Sequence, residues 1–215
     1  MRSYDQYCPV AVALDAVGDR WTLLILRELL IGPRRFTDLR AALPGLAPNL
    51  LTDRVRELER DGLIERRQLP PPAARTVYAL TVDGRSTAPV LAALARFGAE
   101  RLDPPADRTV RPAMTVFGLM APFHRPDGER LHVRLLIDGE YFDLVSDGER
   151  LSTRPRADDG PDVVVTATAR ELVAARQGDH PLDPASVRGP VRQTERFARM
   201  FELDRHMAGR GAARP

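Results

Sequence analysis

The sequence predicts an α+β protein of two domains, helical over residues 1–104 and richer in strands over 105–215. Three observations predict it. Residues 9–62 set apolar side chains at helical spacing between helix-ending signals. The run "DPPADR" at 103–108 clusters prolines and charges, as a boundary between domains does. Beyond it the period falls to two, with Leu131, Val133, Leu135 and Ile137 alternating, and Asp-Gly-Glu recurs at Asp127, Asp138 and Asp147 as hairpin turns would.

In the first half, Pro9 suits the first position of a helix to about Val17. Asp19 is placed to cap a second helix, from Arg20 to Ile31, which Gly32-Pro33 ends. A short helix spans Phe36 to Leu43, and Pro44-Gly45 makes a turn. The next helix starts at Pro48 and stops before Gly62. "LIERRQL" and "TVYAL" form a hairpin whose tip, "PPPAAR", cannot pair. Thr81 caps a helix to about Leu102, and Pro89 predicts a kink or a fresh start in it.

In the second half the three turns make an antiparallel meander, and "DVVVTATA" adds a strand. Thr168 and Glu171 form a capping box for a helix ending near Gly178. A last helix spans about Arg192 to Leu203, with Phe197, Met200 and Phe201 on one face, and the tail from Met207 has no packing signal.

Composition limits the partners. The 215 residues are 43% hydrophobic and 29% charged, as in a globular protein that stays in water. Net charge is only +2, so no strongly basic surface announces nucleic acid, although all 32 cationic residues are Arg, the side chain suited to phosphate and guanine. The greasiest run, "WTLLILRELLIG", is interrupted by Arg27 and Glu28 and falls short of the roughly 20 residues of a membrane span. With the single cysteine, Cys8, this points to a cytoplasmic protein with no membrane partner and no internal disulfide. The four histidines lack metal-ligand spacing, and neither a Gly-rich phosphate loop nor a Gly-x-Ser-x-Gly elbow occurs. No enzyme, cofactor or metal is expected.

The helix from Pro48 puts Leu50, Leu51, Val55 and Leu58 on one side and Asn49, Thr52, Asp53 and Arg56 on the other, with Arg54 at the border. With the helix before it and the hairpin after it, this is a winged helix-turn-helix. Its expected DNA contacts are Arg34, Arg35 and Thr37 before and in the first helix of the motif. Pro48, Asn49, Thr52, Asp53, Arg54 and Arg56 follow on the second, and Arg66, Arg67 and Arg75 on or near the wing. Asp53 repels phosphate unless it accepts from cytosine or pairs with Arg, and Ala47 is a poor N-cap.

"CPVAVALDAVGDRWTLLILRELLIGPRRFTDLRAALPG", "NLLTDRVRELERDGLIERR" and "VYALTVDGR" closely resemble the HxlR-type winged helix-turn-helix regulators over residues 6–102. The resemblance implies a dimeric DNA-binding transcriptional regulator with Pro48 to Asp61 as its recognition helix, here a repressor. It implies a dimer seam from residues 9–17 and 88–102, with Val10, Val12, Leu91, Leu94 and Phe97 available for burial, and hence a pseudo-palindromic double-stranded operator. Ala47 and Asp53 depart from the family's usual Ser and Gln or Lys, which puts the operator sequence in doubt. Cys8, before Pro9 at a helix N-terminus, is either a small residue packed at that seam or a thiol sensor of oxidants or electrophiles.

"DVVVTATARELVAARQGDHPLDPASVRGPVRQTERFARMFEL" resembles the end of sterol carrier protein-like domains, which enclose an apolar cavity between sheet and helices. That resemblance implies a hydrophobic small-molecule effector. Phe117, Met120, Phe123, Leu135, Ile137, Tyr141, Phe142, Phe197, Met200 and Phe201 are the residues to line such a cavity, or else they are plain core. Two functions stay open: a regulator released from its operator by ligand, and a lipid or metabolite carrier with vestigial DNA binding.

Overall fold

The computed structural model describes residues 3–69, 75–99, 101–102, 110–120, 128–149, 151–154, 160–201 and 203. Packing divides the chain into two compact units, Met1–Leu94 and Ala95–Pro215. The division falls inside a helix, ahead of the 103–108 run, which lies outside the described residues. No helix among the described residues is long and apolar enough to cross a membrane.

The first unit runs α1 (Pro9–Val17), α2 (Thr22–Ile31), α3 (Phe36–Ala42), α4 (Pro48–Arg60), β1 (Ile64–Gln68), β2 (Thr76–Leu80), α5 (Val82–Arg85) and the start of α6 (Ala88–Ala99). Its core is Ile25, Leu26 and Leu29 of α2, Leu39 of α3, Leu51, Val55 and Leu58 of α4, Ile64 of β1 and Val77 of β2. Each such side chain, fully buried, stabilises by roughly 1.5–3 kcal/mol. β1 and β2 pair antiparallel with Ile64 opposite Leu80, and α2 packs on β2. Pro89 gives the fresh start, since the predicted single helix breaks at Ser86-Thr87 and resumes as α6. α2 starts later than predicted, because Trp21 takes a left-handed conformation (φ 83) and Asp19 does not cap it with its side chain.

The second unit contains α7 (Pro112–Met120), β3 (Leu131–Ile137), β4 (Glu140–Ser146), β5 (Leu151–Arg154), β6 (Val163–Ala167), α8 (Ala169–Gln177), a 3-10 turn (Pro184–Ser186), β7 (Val187–Arg188) and α9 (Val191–Met200). The sheet order is β5-β4-β3-β6-β7. Asp138 and Gly139 both have positive φ (48 and 84), the geometry of a two-residue hairpin turn, and they join β3 to β4. Asp147-Gly148 turns β4 into β5. At the first Asp-Gly pair, Asp127 lies outside the described residues, and Gly128 donates its N–H to the Gly148 carbonyl at 3.0 Å.

The sheet is mixed rather than wholly antiparallel as predicted, because β6 runs parallel to β3, Val133 opposite Val163. The register explains how so short a connection achieves this. β5 ends at Arg154, level with Arg134 of β3 through Asp143, and β6 begins one residue away, at the level of Val133. The end of β5 and the start of β6 therefore lie almost level, three strand spacings apart, about 14 Å.

One face of the sheet is apolar and meets helices: α9 packs on β6, and α8 packs on α7. Arg176 of α8 donates to the Gly118 carbonyl of α7 at 2.5 Å. Arg196, buried in α9, donates to the Arg130 carbonyl at 2.6 Å and so pins α9 to the entry of β3. The capping box of α8 forms as predicted, Glu171 accepting from the Thr168 N–H and Thr168 accepting from the Glu171 N–H. The Thr168 N–H at 2.6 Å and the Thr168 hydroxyl at 2.9 Å both donate to the exposed Glu171 carboxylate and hold it below its ordinary pKa. α7 carries no amphipathic signal, since "PAMTVFGLM" is apolar almost all round, and the sequence reading assigned it no helix.

Candidate nucleic-acid interface

α3 and α4 are joined by residues 43–47, in which Leu43 and Leu46 are buried and Gly45 takes φ 91. Two leucines anchor the turn from below while glycine supplies a conformation that side chains resist. α4 then buries Leu51, Val55 and Leu58 and leaves Pro48, Asn49, Asp53, Arg56 and Arg60 exposed on the other side. Spacings of four, three and four from Asn49 to Arg60 hold these polar side chains on one stripe.

The side chains of this stripe are chemically available. Asn49, Asp53, Arg56 and Arg60 make no ion pair or side-chain hydrogen bond with any described residue. Thr52 is half-buried, and its hydroxyl donates to the Pro48 carbonyl at 3.0 Å. Arg60 was not among the expected contacts, although its place four residues after Arg56 could have suggested it.

Arg54 is placed differently. Its guanidinium donates to the Asp19 carboxylate and, at 2.6 Å, to the Glu57 carboxylate, and its side chain is only 18% exposed. It thus ties α4 to the turn before α2 instead of facing outward. Asp19, 35 positions away, was expected to cap α2 rather than to hold Arg54, and Glu57 carried no expectation of its own. Beside this pair lies a cavity of about 640 Å³, bordered by Ser3, Tyr4, Asp15, Asp19, Arg54 and Asp61 among others.

The remaining expected contacts are spread along α3 and the wing. Arg34 is half-buried, and its backbone pairs with Tyr78 of β2 in both directions, at 2.9 and 2.7 Å, which fixes the loop before α3 to the wing. Arg35 and Thr37 are exposed, and Asp38 accepts from the Arg35 N–H at 3.0 Å at the start of α3. Arg66 lies over the Tyr78 ring and 3.0 Å from Glu59, and Arg67 pairs with Glu65. Arg75 is exposed at the base of the wing, whose tip at 70–74 lies outside the described residues. The basic footprint is therefore partly neutralised within the unit. Exposed pairs of this kind are worth about 1 kcal/mol or less, so Arg66 and Arg67 exchange partners readily.

Ala47 is the N-cap of α4 and offers no side-chain bond to its first turn. We expect Ala47→Ser to raise the stability of this unit by about 0.5–1 kcal/mol. The check is a higher urea midpoint followed by the fluorescence of Trp21, the chain's single tryptophan.

Cys8 is the half-buried N-cap of α1 and is not in a disulfide. Of the proposed seam residues, Val10, Val12, Leu94 and Phe97 are exposed, whereas Leu91 is buried in its own fold. Of the proposed cavity residues, Leu135, Ile137, Phe142, Phe197, Met200 and Phe201 are buried core, with the rings of Phe197 and Phe201 5.1 Å apart. Phe117 and Met120 are half-buried on α7, and Phe123 lies outside the described residues. Tyr141 is 49% exposed and shares the opposite sheet face with Leu136, its partner in the β3–β4 register.

Comparison with known proteins follows the first unit. Residues 16–106 match the HxlR-like helix-turn-helix family. The chain is 37% identical over 100 residues to the uncharacterized HTH-type transcriptional regulator YvaP of Bacillus subtilis, an alignment covering 46% of this chain and 93% of that protein. It is 41% identical over 96 residues to the uncharacterized HTH-type transcriptional regulator sll1512 of Synechocystis, covering 45% and 71%. Among solved structures, a putative MarR-family transcriptional regulator from Porphyromonas gingivalis W83 is 32% identical, covers 47% of this chain and 100% of that one, and superposes with a TM-score of 0.42. With a helix-turn-helix, a paired wing and relatives such as YvaP, 37% identical and covered to 93% of its length, the chain belongs to the HxlR-like helix-turn-helix family of transcriptional regulators.

Proposed function

We propose that the protein is a sequence-specific repressor that binds a pseudo-palindromic operator as a homodimer, with α4 in the major groove, and that a hydrophobic small molecule held by the second unit modulates this binding. The observation that carries the reading is the outward stripe of α4, where Asn49, Asp53 and Arg56 stand exposed and, among the described residues, unpartnered. A helix presenting such side chains from its first turns fits a major groove. Arg35, Thr37 and Arg75 are exposed near the ends of the motif and suit phosphate.

Dimerisation is supported by Val10 and Val12 on α1 and by Leu94 and Phe97 on α6, large apolar side chains left in water. The effector role is supported by the separate core of the second unit, most of which lies beyond the family match, and by half-buried Phe117 and Met120 on α7. A core of that size adds nothing to groove recognition by itself.

A mobility shift with the intergenic DNA upstream of the protein's own gene, in excess competitor, tests the reading. A discrete complex is expected, weakened by rising salt as phosphate contacts require. Arg56→Ala should weaken it by about 1–3 kcal/mol if Arg56 meets a base, with thermal stability unchanged because Arg56 makes no ion pair or side-chain hydrogen bond with any described residue. Arg54→Ala should do the reverse, lowering stability by about 1 kcal/mol with less effect on base preference. Affinity equal to that for random DNA would reject the operator reading for that segment. Dodecanoate that neither raises the melting temperature nor releases DNA would count against a fatty-acyl effector.

A further inference from the structure

We propose that Asp53 selects a cytosine in the major groove, between an adenine met by Asn49 and a guanine met by Arg56. The proposal rests on the DNA-binding reading above and specifies the operator that reading leaves open.

Asp53 has no structural role among the described residues. It is exposed, caps no helix and makes no ion pair. The cations around it are otherwise placed. Arg54 is held by Asp19 and Glu57, and Arg56 and Arg60 stand at i+3 and i+7 without bonding it. Its carboxylate therefore enters any groove unneutralised by its own helix. There it meets phosphates on both flanks, which repel it, so its presence on this stripe is favourable only if a base donates to it.

Base chemistry narrows the choice. An ionised carboxylate only accepts hydrogen bonds. Guanine and thymine present acceptors in the major groove, and only cytosine N4 and adenine N6 donate. Beside its N6, adenine also places the N7 acceptor, which opposes a second carboxylate oxygen. Cytosine places no acceptor beside N4 on its own edge. Asn49 has both an acceptor and a donor, which match adenine N6 and N7, and the Arg56 fork matches guanine O6 and N7. Along the helix axis Asn49 and Asp53 are about 6 Å apart and Asp53 and Arg56 about 4.5 Å. These are steps of one to two base pairs, so the three can read one short half-site.

The test is selection from a randomised duplex library with the full chain as wild type, Asp53→Asn and Asp53→Ala. The wild type is expected to enrich a motif with a cytosine in each half-site. Asp53→Asn should change that position alone to adenine. Asp53→Ala should make it degenerate, reducing a discrimination of roughly 5- to 150-fold to near unity while the rest of the motif persists. Both variants should melt with the wild type, since Asp53 makes no ion pair or side-chain hydrogen bond with any described residue. The proposal is overturned if both variants enrich the wild-type motif, or if the position that responds to them holds any base other than cytosine. A wild type that enriches no motif would instead overturn the DNA-binding reading itself, and the proposal with it.

Discussion

Gly84→Ala is expected to destabilise the first unit by about 3–5 kcal/mol, at the severe end for a single methyl group. The cause is space. A Cβ on Gly84 would sit 1.9 Å from the Leu63 carbonyl oxygen and 2.9 Å from its carbon. That carbonyl cannot retreat cheaply, because it accepts from the Thr81 N–H at 3.1 Å, and the Leu63 N–H donates to Leu58 of α4 at 3.0 Å. The Thr81 hydroxyl also donates to the Gly62 carbonyl at 2.6 Å. One crossing of backbones thus joins the end of α4, the start of the wing and the start of α5. Relief of the overlap must break at least one of these bonds. Urea unfolding followed by Trp21 should show a midpoint lower by about 1–3 M, given ordinary denaturant slopes. An unshifted midpoint for Gly84→Ala would mean that the crossing is looser than described.

Asp143→Ala is expected to cost about 3–5 kcal/mol in the second unit, the usual result of removing one partner of a buried ion pair. The Asp143 side chain is 0% exposed on the central strands. Arg134 grips it with two bonds, Nε to Oδ1 at 2.8 Å and a terminal nitrogen to Oδ2 at 2.7 Å, and His132 Nε2 lies 3.3 Å from Oδ2. Protection of the β3 and β4 amides from hydrogen exchange should fall about a hundredfold or more. Replacing the pair together, Asp143→Leu with Arg134→Met, should restore most of it, since the loss comes from removing only one side of a buried ion pair. Failure of the double variant to recover would place the cost in lost shape rather than lost charge.

The same carboxylate makes the unit acid-sensitive. Burial raises its pKa, but the Arg134 bonds and charge, with His132, outweigh burial and leave it below its ordinary value of 3.8. A pKa lowered by folding contributes stability that is fully present above the unfolded value and is lost as pH falls through the folded one. Protection in β3 and β4 should therefore hold from neutrality down to about pH 4 and decline below it.

The sequence showed the parts of the fold that periodicity and local chemistry dictate. The helical stripe of α4, the Thr168–Glu171 box, the Asp138-Gly139 hairpin and the break near Pro89 are all settled by residues a few positions apart. What it hid depends on distant partners. The parallel pairing of β6 with β3 follows from where β5 stops, which no local pattern records. α7 was missed because a segment apolar all round has no helical stripe to detect. On the interface, Asn49, Asp53 and Arg56 could be assigned to the outward face by spacing alone. Arg54, at the border of the stripe, could not, since Asp19 decides its direction from 35 residues away.

The separation on α4 has a consequence for how such a regulator acquires new target genes. The side chains that aim the helix, Leu51, Arg54, Val55 and Leu58, and those that face outward, Asn49, Asp53 and Arg56, alternate along thirteen residues and share no partner. Changes in independent sets combine additively. The outward three can then be exchanged without drawing on the stability margin of the fold, so binding preference drifts almost free of selection on folding. Paralogues built on this first unit can diverge to different operators one substitution at a time, each intermediate remaining folded.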